Sequence, residues 1–356
     1  MTSASTVARD AGALGEIAGR PIVLHYGDVA SEYAALRKGA MLIDRSHRTR
    51  TTLDGPKAAE VLTGLVTNDV QALAPGHGQY AAALTPKGKI IADVRIFARE
   101  GHLLIDVPPR AATGWMAMLR KFVNPRVAAY VDRSHEMRDV GVFGVSARRV
   151  VATLTALDAE ALEALPPYGH LVAMIDGTAA MVVRSPDLGY EGYEIFVATE
   201  VEPLLWQRAA NAGATPSGLD AWEIARVEAG RPEWGLDIDE STIPQEANFD
   251  ELHAISYTKG CYTGQETVAR VHFRGHVNRH LRGLQGAESE GMAPRAQLFD
   301  DAGKLVGEVR TSLRSPRLGP IALGMVRREV APATTLRATC ESGETAVIVV
   351  PLPFPT

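Results

Sequence analysis

The sequence predicts an α+β protein whose last part is a small β-barrel or sandwich. Short apolar runs at 79–84, 90–97 and 102–107 read as an antiparallel meander. Between 140 and 213 strands alternate with helices, and after Gly275 only strand-length apolar runs follow, without a long helix. Because the hairpins are short and antiparallel, layered α+β packing is expected rather than a doubly wound sheet.

In chain order, residues 1–20 read as a flexible or loosely helical extension rich in Ala, Ser and Gly. Asp28 is placed to cap a short helix through Ala34, Ala35 and Leu36 that Gly39 closes, ahead of a strand at 41–44. A strand at 51–53 ends at Asp54-Gly55, and Pro56 opens a helix carrying Ala59, Val61, Leu62 and Leu65. The meander turns at Thr85-Pro86-Lys87-Gly88 and Glu100-Gly101. A helix at 111–122 then presents Trp115, Met118, Leu119 and Phe122 on one face. The next unit reads as strand 140–145, helix 147–157, strands 171–175, 180–184 and 193–197, and helix 200–211. A helix at 219–229 with Trp222, Ala225 and Val227 stops at Gly230 and Pro232. Strands are expected at 281–284, 296–299, 305–311, 321–326, 335–338 and 345–349. No fixed-period repeat is present, which excludes a solenoid.

Composition bounds the function. A chain of 356 residues predicts two or three domains. A net charge of −5 and a pI near 6.1 argue against direct nucleic-acid binding as the main role. No apolar run approaches the roughly 20 residues that span a bilayer, so no membrane association is expected. Cys261 and Cys340 fit no CxxC spacing, no metal site is read, and a reducing, cytoplasmic setting is expected.

The most specific stretch is Lys259-Gly260-Cys261-Tyr262-Thr263-Gly264-Gln265-Glu266. Thr263 and Glu266 have capping-box spacing ahead of Val268 and Val271, so a helix is expected from Gly264. Cys261 would then sit before a helix N-terminus, near Lys259, where a thiolate is favoured; the alternative is an inert structural thiol. Lys-Gly-Cys-aromatic-x-Gly-Gln-Glu resembles the signature of YgfZ-type folate-binding proteins, relatives of the glycine cleavage T-protein (aminomethyltransferase) and of mitochondrial iron–sulfur assembly factors. The resemblance runs from about Tyr33 to the C-terminus. It implies a three-lobed aminomethyltransferase-like fold: a folate-binding region at 21–275 made of two α+β lobes, and a C-terminal β-barrel at 276–356.

The same resemblance supplies site residues. Asp93, in an apolar strand, corresponds to the second Asp of the T-protein Gly-Gly-Ile-x-Asp-Asp segment and would face the reactive nitrogens of tetrahydrofolate; Ala92 replaces the first. On residue chemistry alone Asp93 could equally pair with Arg95 or Lys89. Glu194, in Gly189-Tyr190-Glu191-Gly192-Tyr193-Glu194-Ile195, would accept paired hydrogen bonds from the pterin edge, with Tyr190 as a pocket wall. This stretch is three residues shorter than its T-protein counterpart. Arg226, in Arg226-Val227-Glu228-Ala229-Gly230, would contact the folate or else form an intrahelical pair, and Trp234 would line the pocket. Asn68-Asp69 would shape the first lobe or make an Asx turn. His272, Arg274, His276, Arg279 and His280 form either a basic exit steering anions or a plain polar connection.

The implied function is binding of tetrahydrofolate, or a one-carbon derivative, in iron–sulfur cluster assembly or repair, acting indirectly on tRNA modification. Cys261 would be the reactive thiol, and iron–sulfur proteins or assembly factors the partners. The alternative is an aminomethyltransferase moving a one-carbon unit from an aminomethyl-lipoyl carrier to tetrahydrofolate, for which Asp93 is the catalytic candidate.

Overall fold

The computed structural model describes residues 12–287, 292–341 and 343–355. The meander grows into a five-stranded antiparallel sheet in the order Gly78–Leu84, Ile90–Arg99, His102–Val107, Thr49–Asp54, Ala129–Asp132. Alternation along Ile90–Arg99 decides its two faces. Ala92, Val94 and Ile96 pack with Trp115, Met118 and Leu119 of the helix Ala112–Phe122. Asp93, Arg95 and Phe97, one residue out of phase, therefore face the centre of the molecule. Phe122 departs from the expected helix face and is 44% exposed. It is the last residue of its helix, where the chain leaves the sheet.

The second sheet has six strands in the order His170–Ile175, Thr178–Arg184, Gly192–Ala198, Met137–Phe143, Ala40–Asp44, Ala214–Pro216. The early strand Ala40–Asp44 thus belongs to the second lobe, because among the described residues its strand partners are Met137–Phe143 and, in parallel, Ala214–Pro216. Helices Ala147–Thr155 and Glu202–Asn211 cover the outer face through Val150, Val151, Leu205 and Trp206 against Val140, Val142, Ile195 and Val197. The inner-face residues Met181, Val183 and Phe196 meet Tyr80, Leu84 and Phe97 of the first lobe in one shared core.

The C-terminal strands close into a six-stranded barrel, in the order Arg279–Gly286, Gly319–Arg327, Leu305–Ser315, Gln297–Phe299, Thr335–Cys340, Gly343–Val350. Leu281, Ile321, Leu323 and Met325 extend the shared core into it.

One expectation at the N-terminus fails. Residues 13–25 are not a loose extension: Ala13–Ile17 and Arg20–His25 pair as an antiparallel hairpin. The Arg20 guanidinium donates to the carbonyls of His47 (3.0 Å) and Arg48 (2.8 Å), anchoring a buried loop. The remainder of that extension, 1–11, lies outside the described residues.

Candidate functional site

The two inner sheet faces and the 229–254 connection enclose a cavity of about 450 Å³ walled by Gln79, Tyr80, Tyr168, Gly189, Arg231 and His253. Tyr80 and Arg231 also wall a smaller chamber of about 30 Å³, with Arg45, Arg48, Asp93 and Trp222. The larger space suits a flat organic molecule.

Asp93 stands in the chamber wall, 5% exposed. Its Oδ2 accepts the Tyr80 hydroxyl at 2.9 Å, while Oδ1 is buried without a hydrogen-bond partner among the described residues. Burial pushes its carboxyl up to about 6, against the opposing pull of Arg48 and the Tyr80 bond. Neither Arg95 nor Lys89 pairs with it: Lys89 donates to the Ser241 carbonyl, and Arg95 is occupied elsewhere.

Arg95 is the hub of a buried ionic junction between the lobes. Its Nε and Nη2 donate to Asp106 Oδ2 at 3.0 and 2.7 Å, and its Nη1 donates to Asp187 at 3.3 Å and to Glu194. Asp106 is also bonded by Arg48; burial raises its carboxyl, but Arg48, Arg95 and Arg50 together hold it well below the usual range. Asp139, 3.8 Å from Arg95, is pushed well above that range by burial and by Glu194. Asp187 accepts from the Tyr168 hydroxyl (3.0 Å) and from Arg231 (2.8 Å). Burial alone would raise Asp187, but Arg231 and Arg95 bring it down to about 2. The Arg231 guanidinium lies 4.7 Å from the Tyr80 ring centre, and Tyr168 donates toward the same carboxylate, so both rings are fixed.

Glu194 faces inward, as strand alternation requires, but it is not a free acceptor at the cavity wall. It is completely buried: Oε2 accepts from Arg95, while Oε1, 3.5 Å from Arg45 Nε, makes no hydrogen bond among the described residues, and neither cavity is lined by it. The physical reason is that Arg95 shares the inner face with Asp93 and reaches across the lobe junction. Tyr190 packs with Tyr33, Leu188 and Trp222 rather than walling the larger cavity, where Gly189 takes that place. Arg226 keeps its intrahelical pair with Glu223 and adds Asp237 (2.6 Å) and the Arg231 carbonyl. All its nitrogens are engaged, so it positions Arg231 while touching the small chamber. Trp234 braces the first lobe through a 3.3 Å bond to the Ile90 carbonyl, and Trp222 is the tryptophan at the chamber.

The octapeptide is a rigid mount. Lys259 is buried and donates to the carbonyls of Thr63, Val66 and Asn68, and burial lowers its ammonium to about 8. The capping box does not form: Gly264 occupies the N-cap of helix Gln265–Arg274 at φ 83°, with no side-chain cap. A Cβ there would lie 2.6 Å from the Thr85 carbonyl, because Gly264 is seated on the first-lobe hairpin turn. Cys261 is exposed and lines neither cavity. The same loop explains Thr67 and Asn68, whose side chains bond the Ala254 and His253 carbonyls, while Asp69 makes the Asx turn. His272, His276 and His280 open on a separate cavity of about 830 Å³ that also holds Asp250, Glu251 and Glu329, so the exit is of mixed charge. Among the described residues no His/Cys/Asp/Glu group could hold a metal, and no helix is long and apolar enough to cross a membrane.

Sequence reasoning missed Tyr80, Tyr168, Arg231, Arg45, Arg48 and Arg95 as site residues. Period-two alternation from Asp93 would have found Arg95; the others come together only through the tertiary fold.

Two α+β lobes and a barrel around a cavity that adjoins a chamber with a buried carboxylate define a three-part fold. The chain belongs to the glycine cleavage T-protein family: residues 7–256 match the GCVT N-terminal domain and 279–355 the glycine cleavage T-protein C-terminal barrel domain. It is similar to the aminomethyltransferase of Rubrobacter xylanophilus, 30% identical over 95% of this chain and 89% of that one. The Nostoc aminomethyltransferase is 29% identical over 86% and 82%. Its fold matches the crystal structure of aminomethyltransferase T of the glycine cleavage system from Bartonella henselae, with TM-score 0.87, 24% identity, and coverage of 98% and 96%. These relatives favour the aminomethyltransferase alternative over the YgfZ-type, iron–sulfur reading expected from the octapeptide.

Proposed function

We propose that this chain is a tetrahydrofolate-dependent one-carbon transferase of the aminomethyltransferase type. Folate occupies the cavity of about 450 Å³, and its reacting end reaches toward Asp93 in the adjoining chamber. The observation behind this is the unpartnered Oδ1 of Asp93, buried in a wall of the adjoining chamber. An orphaned buried acceptor is costly, and a ligand N–H relieves it.

The residues present fit a reduced folate. Tyr80 and Tyr168 offer fixed aromatic walls, and Gln79 Nε2, buried and unpartnered among the described residues, offers a donor. Reduced folate, when bound, supplies the amine nitrogens that take the one-carbon unit. Asp93 takes or returns a proton at Oδ1 while Tyr80 fixes Oδ2. A carboxyl near 6 exchanges protons readily close to neutral pH. The shared apolar core excludes water from that exchange. The donor of the one-carbon unit is an aminomethylated lipoyl carrier protein.

The test is ammonia release and methylene-folate formation from that carrier and tetrahydrofolate. Turnover in wild type and its loss in Asp93→Asn, with folate still bound, supports the assignment. Absence of both turnover and folate binding refutes it.

A second reading keeps one observation of its own. Cys261 is exposed on a loop that Lys259 and Gly264 hold rigid, as a partner-facing thiol of a YgfZ-type iron–sulfur maintenance protein would be. Full restoration of cluster-dependent enzymes by Cys261→Ala in a deletion strain removes that reading.

A further inference from the structure

The small chamber contains two buried cations whose donors the proposed one-carbon chemistry does not use. Arg45 is 3% exposed, and its guanidinium makes no hydrogen bond to any described residue. It lies flat on Trp222, 3.6 Å from the ring centre, and its nearest carboxylate is Glu194 at 3.5 Å from Nε. Arg48, also buried, bonds Asp106 through Nε alone. The terminal nitrogens of both guanidinium groups therefore lack acceptors among the described residues, and both side chains wall the chamber. Arg20, at the tip of the N-terminal hairpin, fixes the loop that carries them by bonding the His47 and Arg48 carbonyls.

Of the chamber-wall carboxylates Asp93 keeps an unpartnered oxygen, Oδ1, and the other two are engaged. Asp187 is held by Arg95, Arg231 and Tyr168, and Glu233 by Arg110 at 2.9 Å. Arg45 Nε is buried without an acceptor among the described residues, and a buried donor left unpaired costs of order 1–3 kcal/mol, so an incoming acceptor is favoured. A volume of about 30 Å³ admits a planar head group but little more. A carboxylate matches the flat fork of a guanidinium; a bulkier dianion would sit against Asp93 and Asp187.

We propose that Arg45 and Arg48 form a carboxylate-binding subsite. It takes a small free acid of acetate size. The subsite stands whether or not folate fills the larger cavity, because its donors belong to the chamber.

Calorimetric titration of the full chain with sodium acetate, against sodium chloride at equal ionic strength, tests it. Saturable binding to wild type is expected, weakened about tenfold or more in Arg45→Gln and retained in Arg337→Gln on the barrel surface. Arg45→Lys, which keeps the charge but loses the fork, provides a second variant should the glutamine form not fold; it too should bind more weakly. Saturable acetate binding in the absence of folate supports a free-acid site. Absence of saturable acetate binding to wild type, or equal binding in wild type and the Arg45 variants, overturns the proposal. Failure of folate to bind would leave the acetate result standing, so the two readings fail separately.

Discussion

Replacing Asp93 by Asn should make the protein more stable at neutral pH while removing its proton-exchanging group. Folding moves this carboxyl from its ordinary 3.8 to about 6, chiefly by burial. The folded state thus holds the proton more tightly than the unfolded chain. Its contribution to stability is fully present below 3.8 and is lost as pH rises through about 6. At about 1.4 kcal/mol per pH unit, wild type loses about 1 kcal/mol by pH 4.5 and about 3 kcal/mol by pH 8. Asn loses nothing over this range, and every other titrating group cancels in the comparison. Thermal melts of both proteins from pH 4.5 to 8 should therefore show the variant gaining about 2 kcal/mol relative to wild type, or roughly 3 °C. A gap that stays constant, or closes as pH rises, would mean that Asp93 ionises like an exposed carboxylate. In that case its assignment as the proton-exchanging group fails.

Four other outcomes follow from the same geometry. Tyr80→Phe removes the bond that favours ionised Asp93, so the acidic limb of the pH–rate profile should move to higher pH; an unmoved limb separates Asp93 from the rate. Gly264→Ala places a Cβ against the Thr85 carbonyl at positive φ and should cost about 2–4 kcal/mol in denaturant unfolding, where a loss under about 0.5 would show that the helix is not seated on the hairpin. Lys259→Met leaves buried carbonyls unpaired and should destabilise by about 3 kcal/mol without altering folate affinity per folded molecule. Glu194→Gln removes one charge-assisted bond while Arg95 keeps Asp106 and Asp187, and should cost about 1.5–3 kcal/mol; a double-mutant cycle with Arg95→Met should show coupling above about 1 kcal/mol, and additive effects would deny the ion pair.

The meander and the C-terminal strands were legible because alternation and turn residues are local signals. The helix Ala112–Phe122 was legible for the same reason, apart from its last residue. Strand Ala40–Asp44 was visible as a strand but not as a member of the second sheet, since its partners lie about a hundred residues or more further along. The N-terminal hairpin was hidden in a weakly apolar stretch whose stability comes from docking. At the site, Asp93 was legible because a carboxylate among apolar strand residues is conspicuous. The run Asp44-Arg45-Ser46-His47-Arg48-Thr49-Arg50 was not, because an arginine-rich segment ordinarily reads as a solvated loop, yet here Arg45, Arg48 and Arg50 are buried. Only neutralisation by Asp106 and Glu194, from two different sheets, makes that burial tolerable.

The ion pair at Glu194 also constrains how a pterin can be recognised here. For both Glu194 oxygens to accept a ligand's paired N–H groups, Arg95 would have to release Oε2 while keeping Asp106 and Asp187. The charged hydrogen bond given up is worth about as much, roughly 1.5–3 kcal/mol, as the one a ligand returns, so the exchange gains nothing. Under the proposed function, recognition would fall on cavity-wall groups that are fixed but unsatisfied, Asp93 Oδ1 and Gln79 Nε2, because Glu194 Oε1, likewise unpartnered, lines neither cavity. Arg95→Met would free Glu194 for the ligand and should shift affinity toward tighter pterin binding, even as it destabilises the lobe junction. Weaker pterin binding in that variant would show instead that Arg95 itself touches the ligand.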